Sequence, residues 1–133
     1  MIKLGVNSVL FGGFDFATAA RHIALAGYDG VEISAIKGMC EHLELDRWKK
    51  QASELASIVS DSGLELLSME EGALDEDRLM KAFEAGAEMG IPVVNVGPGD
   101  GESGNQDDLK RCLDRLARLA EHAGPQYGEG RLE

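Results

Sequence analysis

The stretch Gly27–Ser34, GYDGVEIS, decides the fold of this chain. Val31 and Ile33 alternate with Glu32, so the segment reads as a strand with one apolar face. Upstream lies a helical pattern, with Phe16, Ala19, Ala20 and Ile23 on one side. Asp15 is placed to cap that helix and Ala26-Gly27 to end it. A helix therefore runs through a glycine turn directly into a buried strand. The same cadence recurs along the chain. KLGV (3–6) precedes the first helix as a strand. After DGVEI (29–33), Asp46 is placed to cap a second helix carrying Trp48, Ala52, Leu55, Ala56 and Val59 and ending at Ser62-Gly63. LELLSM (64–69) is a third strand, followed by a helix from about Glu76 with Leu79, Met80, Phe83 and Ala87, closed at Met89-Gly90. PVVNV (92–96) is a fourth strand, and Leu109, Leu113, Leu116 and Ala120 mark a last helix that stops near Ala123-Gly124.

Strands thus begin near Ile2, Gly30, Leu64 and Ile91, about 30 residues apart, the size of a βα unit. Successive strands joined by helical crossovers pair in parallel with right-handed connections. The chain is therefore α/β, a single domain over 1–133 built from four consecutive βα units. Two architectures fit: half of a (β/α)8 TIM barrel, or a small doubly wound parallel sheet. Either places functional residues on the loops after the strands.

Composition narrows the function. The chain has 133 residues, 24 acids against 13 lysines and arginines, and a formal net charge of -11. That charge argues against nucleic-acid and anionic-membrane partners. No apolar run reaches the ~18 residues of a membrane span, and the N-terminus lacks the pattern of a signal peptide. Cys40 and Cys112 do not form a disulfide framework and suit a reducing compartment, which points to the cytoplasm.

Several segments carry a resemblance. ALAGYDGVEIS resembles the second unit of the xylose-isomerase-like barrel superfamily, DSGLELLSM its third strand, AFEAGAEMGIPVVNVGPG its fourth, and LKRCLDRLARLAEHAGPQYG the helix before its fifth. The resemblance covers nearly the whole chain and implies the N-terminal (βα)4 portion of a sugar isomerase/epimerase-like barrel. Complete members use a divalent metal, Mn2+, Mg2+ or Co2+, to move a proton between sugar carbons through an enediolate. Their metal ligands come from strands five to eight, so the resemblance implies neither a catalytic nor a metal residue here, and little activity for this chain alone. The end of the sequence, 124–133, departs from the pattern, and Glu133 is a poor stand-in for a strand-borne ligand. A DNA-repair endonuclease branch places a metal-binding His at the ends of strands three and four. This sequence has Glu70 (or Met69) and Gly97 there, so the isomerase branch is the expectation.

The resemblance places Glu32 near the catalytic mouth, orienting polar substrate groups or neighbouring side chains. Asn7 at the end of strand one is a candidate for a substrate hydroxyl, Phe11 for a pocket wall, and Glu70 and Gly97 for the ends of strands three and four. A strand-end carboxylate bonded to local partners is the plainer reading of Glu32; a buried one requires partners in either case. The loops after the strands hold Glu41, Glu44, Glu70, Glu71, Asp75, Asp100 and Glu102 against Lys37 alone. That sign favours a neutral sugar or polyol over a sugar phosphate. Asp46, Asp75, Glu76, Asp77, Asp107 and Asp108 also complement helix dipoles. NVGPGDGESGN reads as a mobile loop at the site, not a P-loop. His42 lies in the long loop after strand two without metal partners at ligand spacing; His22 and His122 read as helix-surface residues. In an open half-barrel the first and fourth strands are edges, which makes a self-assembling, non-catalytic homodimer the second reading.

Overall fold

The computed structural model describes residues 1–98 and 104–127. The glycine-rich segment 99–103, with Asp100 and Glu102, and the segment 128–133, with Glu133, lie outside the described residues. The described residues form five strands: β1 (Gly5–Asn7), β2 (Gly30–Ile36), β3 (Cys40–Glu41), β4 (Glu65–Glu71) and β5 (Val94–Val96). Four helices accompany them: α1 (Phe16–Leu25), α2 (Trp48–Asp61), α3 (Glu76–Met89) and α4 (Gln106–Tyr127). Strands β1, β2, β4 and β5 lie side by side in that order, all parallel. Helices α1 to α4 pack against one another in the same succession.

This order excludes the doubly wound alternative. A doubly wound sheet reverses its strand order at a switch point and carries helices on both faces. Here the order never reverses and one face of the sheet takes the helices. Val31, Ile33, Ala35 and Met69 turn to that face and join Ala19, Ala20, Ile23, Leu55, Val59, Ala82 and Ala85 in one core. A second cluster of Leu74, Leu79, Phe83 and Leu119 seats α4 on α3 and, through Val94 and Val96, beside β5. The topology is half of a (β/α)8 barrel.

The helix signals act through backbone hydrogen bonds. Asp15 Oδ1 accepts from Thr18 N at 2.8 Å and opens α1. The Thr18 bonds hold the Asp15 carboxyl below its ordinary value. Asp75 does the same for α3 through Arg78 N at 2.9 Å, and Gly90 closes that helix in the left-handed region at φ 68°. Asp46 does not cap α2. It sits in the 3-10 turn Leu45–Arg47, and the residue before α2 makes no side-chain cap bond. Asp46 instead ion-pairs with Lys81 on α3, whose hydrogen bond and charge lower its pKa. The last helix passes the expected stop at Gly124 and runs to Tyr127, because Gly124 is not in the left-handed conformation that ends a helix. The loop after β2 also contains a strand: β3 folds back antiparallel on β2, pairing Ile36 with Cys40 and Ala35 with Glu41. Among the described residues no helix is long and apolar enough to cross a membrane.

Two close approaches set the face of the sheet away from the helices. Between Val31 and Glu32 the register against β4 slips by one: Val31 pairs with Leu66, but Glu32 pairs with Ser68. Leu67 is the extra residue of this bulge. Its side chain lies over the bare backbones of Gly5 and Gly30, where an added Cβ would meet it at 2.7 and 2.5 Å.

Candidate functional site

The bulge aligns polar side chains from four neighbouring strands. Asn7 on β1 is paired with Glu32 on β2, Glu32 with Ser68 on β4, and Glu70 on β4 with Asn95 on β5. Period two puts these side chains on the face opposite the core. They form one hydrogen-bonded row. Asn7 Nδ2 donates to Glu32 Oε1 at 2.8 Å and also to Glu70 Oε2. Asn7 Oδ1 accepts from Val9 N at 2.9 Å, which fixes the amide. Ser68 Oγ donates to Glu32 Oε2 at 2.5 Å, and Asn95 Nδ2 donates to the same oxygen. Glu32 therefore accepts three hydrogen bonds, which answers the cost of a carboxylate on a core strand. The row is half-buried on β1, β2 and β4 and exposed at Asn95.

Of the five residues singled out in the sequence, the structure brings together Asn7, Glu32 and Glu70. It does not bring Phe11 into that row. Phe11 packs on the edge of the core and on the His22 ring, with centroids 6.1 Å apart. Gly97 stands at the end of β5, where an added Cβ would lie 2.1 Å from Gly72 O. Its place is set by the close passage of two strand ends. Ser68 and Asn95 were missed by the sequence reading. Asn95 carries a usable signal: a lone amide inside the apolar strand PVVNV, two residues before Gly97.

The acidic loops are less negative than their count suggests. Glu71 is fully buried, and its Oε2 accepts from Arg78 Nε at 2.8 Å and Nη2 at 2.7 Å. The same Nη2 donates to Ala35 O at 2.9 Å and Glu41 Oε1 at 3.3 Å. Burial alone would push the Arg78 guanidinium down, but the Glu71 hydrogen bond and the Glu71 and Glu41 charges push it up overall. Arg47 pairs with Glu44 at 3.0 Å. Arg47 lies in the turn before α2 and pairs locally, whereas Arg78 comes from α3 and ties the ends of β2, β3 and β4 together.

His42 is buried and serves the same end of the sheet. Its Nε2 lies 2.9 Å from Phe14 O and its Nδ1 2.9 Å from Ser8 Oγ. A carbonyl only accepts, so Nε2 carries the proton and donates to it, and Nδ1 accepts from Ser8. Ser8 Oγ in turn accepts from Ser34 N at 2.9 Å. His42 thus locks the turn after β1 to β2. His22 is exposed on α1, and His122 lies against Phe83.

Among the described residues no group of three or more His, Cys, Asp or Glu side chains converges as metal ligands. In the row itself, the carboxylate oxygens face amide and hydroxyl hydrogens: Glu32 accepts with both of its oxygens, and Glu70 has one oxygen on the Asn7 amide.

A single helical layer over four parallel strands in chain order, with a polar row on the inner face, defines half of a barrel of the TIM type. Comparison with solved structures agrees with that class. D-allulose 3-epimerase from Methylomonas sp. superposes with a TM-score of 0.66 at 17% identity, over 95% of this chain and 49% of the epimerase. Its complex with D-allulose gives 0.65 at 18% identity, over 95% and 49%. 3-Keto-D-glucoside 4-epimerase from E. coli gives 0.58 at 17% identity, over 93% and 54%. The chain spans about half the length of the solved structures it matches. No family model and no curated protein matches the sequence. At these identities the likeness establishes the fold alone, a parallel α/β half-barrel of the TIM type.

Proposed function

We propose that this chain is the substrate-binding wall of a sugar epimerase-like barrel, acting in the cytoplasm on a neutral sugar or polyol. The observation that carries the reading is the row Asn7–Glu32–Ser68–Glu70–Asn95, one hydrogen-bonded line across four strands on the inner face. Hydrogen-bond accounting gives the ligand its chemistry. Asn7 and Glu32 are spent on their neighbours. Glu70 Oε1 and Asn95 Oδ1, on register-paired residues, have no partner among the described residues. What remains on offer is mainly acceptors, so the ligand must bring donors. Adjacent sugar hydroxyls do so; a phosphate does not. The neutral-ligand expectation is thus supported by the row, although the loop charges that first suggested it are partly paired. Metal-assisted proton transfer needs ligands that the described residues do not supply, so on this reading the chain binds and orients while the chemistry requires a completed barrel.

The test is a titration of the 15N-labelled chain with D-fructose and D-allulose, followed by heteronuclear NMR. Shifts concentrated at residues 7, 32, 68, 70 and 95, weakened about tenfold in Asn95→Leu and Glu70→Leu, are the expected result. Shifts confined to other faces, or none at millimolar sugar, sink the reading.

A further inference from the structure

Exposed large apolar residues occur in several places, with Leu10, Phe14, Tyr28 and Met39 in turns and loops and Leu25 on α1, but one set borders the two open edges of the sheet. Ile2 and Leu4 lie beside β1 at one flank of the sheet, 86% and 63% exposed. Val93, Leu109 and Leu113 lie beside β5 and on α4 at the other flank, 48%, 51% and 56% exposed. Among the described residues β1 pairs only with β2, and β5 only with β4. Parallel strands are ordinarily covered on both faces and paired at their edges. Both ends of the polar row also lie at these flanks: Asn7 on β1 and Asn95 on β5.

From this placement we propose that the occupant of both flanks is a second copy of this chain, with β5 of each copy laid parallel to β1 of the other. Any closing partner must offer a β1-type edge to β5 and a β5-type edge to β1 at the same time. This chain offers both, with apolar side chains beside each. Four strands from each copy make eight, the number whose closed interior is filled by side chains. The two-fold axis brings Asn95 of one copy next to Asn7 of the other and turns the open row into a ring. The partner copy thereby supplies half of the site. The net charge of -11 per copy opposes the association, so it is measured at 0.15 M salt or above, where the Debye length is about 8 Å. The proposal stands on the sheet edges and is independent of what the row binds.

Sedimentation equilibrium of the 133-residue chain is expected to give twice its 14.2 kDa. A monomer up to several hundred micromolar overturns the proposal. The pairing itself is read by cross-linking in a Cys112→Ser background. Oxidation of an equimolar mixture of Asn7→Cys and Asn95→Cys chains should yield the mixed disulfide dimer. Neither variant alone should cross-link efficiently to itself. A dimer in which Asn95→Cys joins only Asn95→Cys would place β5 on β5, and a dimer with no cross-link would leave the row open; either result overturns the proposal.

Discussion

At the scale of single residues, the most consequential group is Arg78. It is one cation shared by Glu71, Glu41 and the Ala35 carbonyl, with its side chain 11% exposed and Glu71 at 1%. Its Nη1 is buried without a partner among the described residues, so the pair is not fully satisfied even in the native fold. Arg78→Leu leaves Glu71 buried and unpaired, and should lower stability by about 3 kcal/mol or more in denaturant unfolding. The double variant Arg78→Leu/Glu71→Leu should recover a large part of that loss, because the stranded charge is gone. If both variants are equally unstable, the guanidinium acts by packing rather than by charge. Asp15 provides the pH-dependent counterpart. Its folded pKa lies below the ordinary 3.8 because it accepts the Thr18 bonds. A depressed carboxyl stabilises above its unfolded value and loses that contribution as pH falls through the folded one. Asp15→Asn keeps a capping acceptor but has no titration. The exchange protection factor at the start of α1, relative to the intrinsic rate at each pH, should therefore fall on acidification in the parent and stay flat in the variant. Parallel acid responses would deny Asp15 this role.

At the scale of elements, the bulge in β4 is the device that builds the site. It seats Leu67 over Gly5 and Gly30 and brings Ser68 level with Glu32. A Cβ at Gly30 would lie 2.5 Å from Leu67 Cγ and 2.6 Å from Glu65 O. Gly30→Ala should therefore cost about 1–3 kcal/mol by overpacking, read in thermal unfolding. Adding Leu67→Ala should recover only part of this, since the Glu65 carbonyl is backbone and remains. Full recovery would mean that the strands are free to spread. This element also marks where sequence reading reached its limit. GYDGVEIS announced a buried strand with one carboxylate, because alternation is a local property. It could not announce the register slip, which depends on which β4 residue faces Val31. The alternation therefore pointed to Glu32, and the resemblance to Glu70, but both left Ser68 and Asn95 unseen. Asp46 failed as a cap for a related reason. Its neighbours permit a cap, but Lys81 comes within reach only after α3 has packed. The strand β3 was hidden because two residues carry no periodicity, and Arg78 was outside the loop charge count because it belongs to α3.

At the scale of the whole molecule, the proposed function separates binding from chemistry. Four strands give one wall, and the amide and hydroxyl hydrogens of that wall are already directed at its carboxylates. A divalent ion of the kind used by metal-dependent isomerases needs several oxygen or imidazole ligands converging on one point. Neither the row nor a two-fold copy of it adds a histidine, because His42 is committed to Ser8 and Phe14. A completed homodimer would accordingly remain a binding ring. The 133-residue chain equilibrated with excess Mn2+ and passed through gel filtration should retain well under one ion per chain by elemental analysis. The same preparation should show no epimerisation of D-fructose or D-allulose above the uncatalysed rate, while the sugar still shifts the resonances of the row. Stoichiometric Mn2+ together with turnover abolished by Glu32→Gln would make this wall a complete active site. Its amide donors would then have to turn away from Glu32 and Glu70 on metal binding, and the loss of the Asn7 and Asn95 side-chain amide protection would report that rearrangement directly.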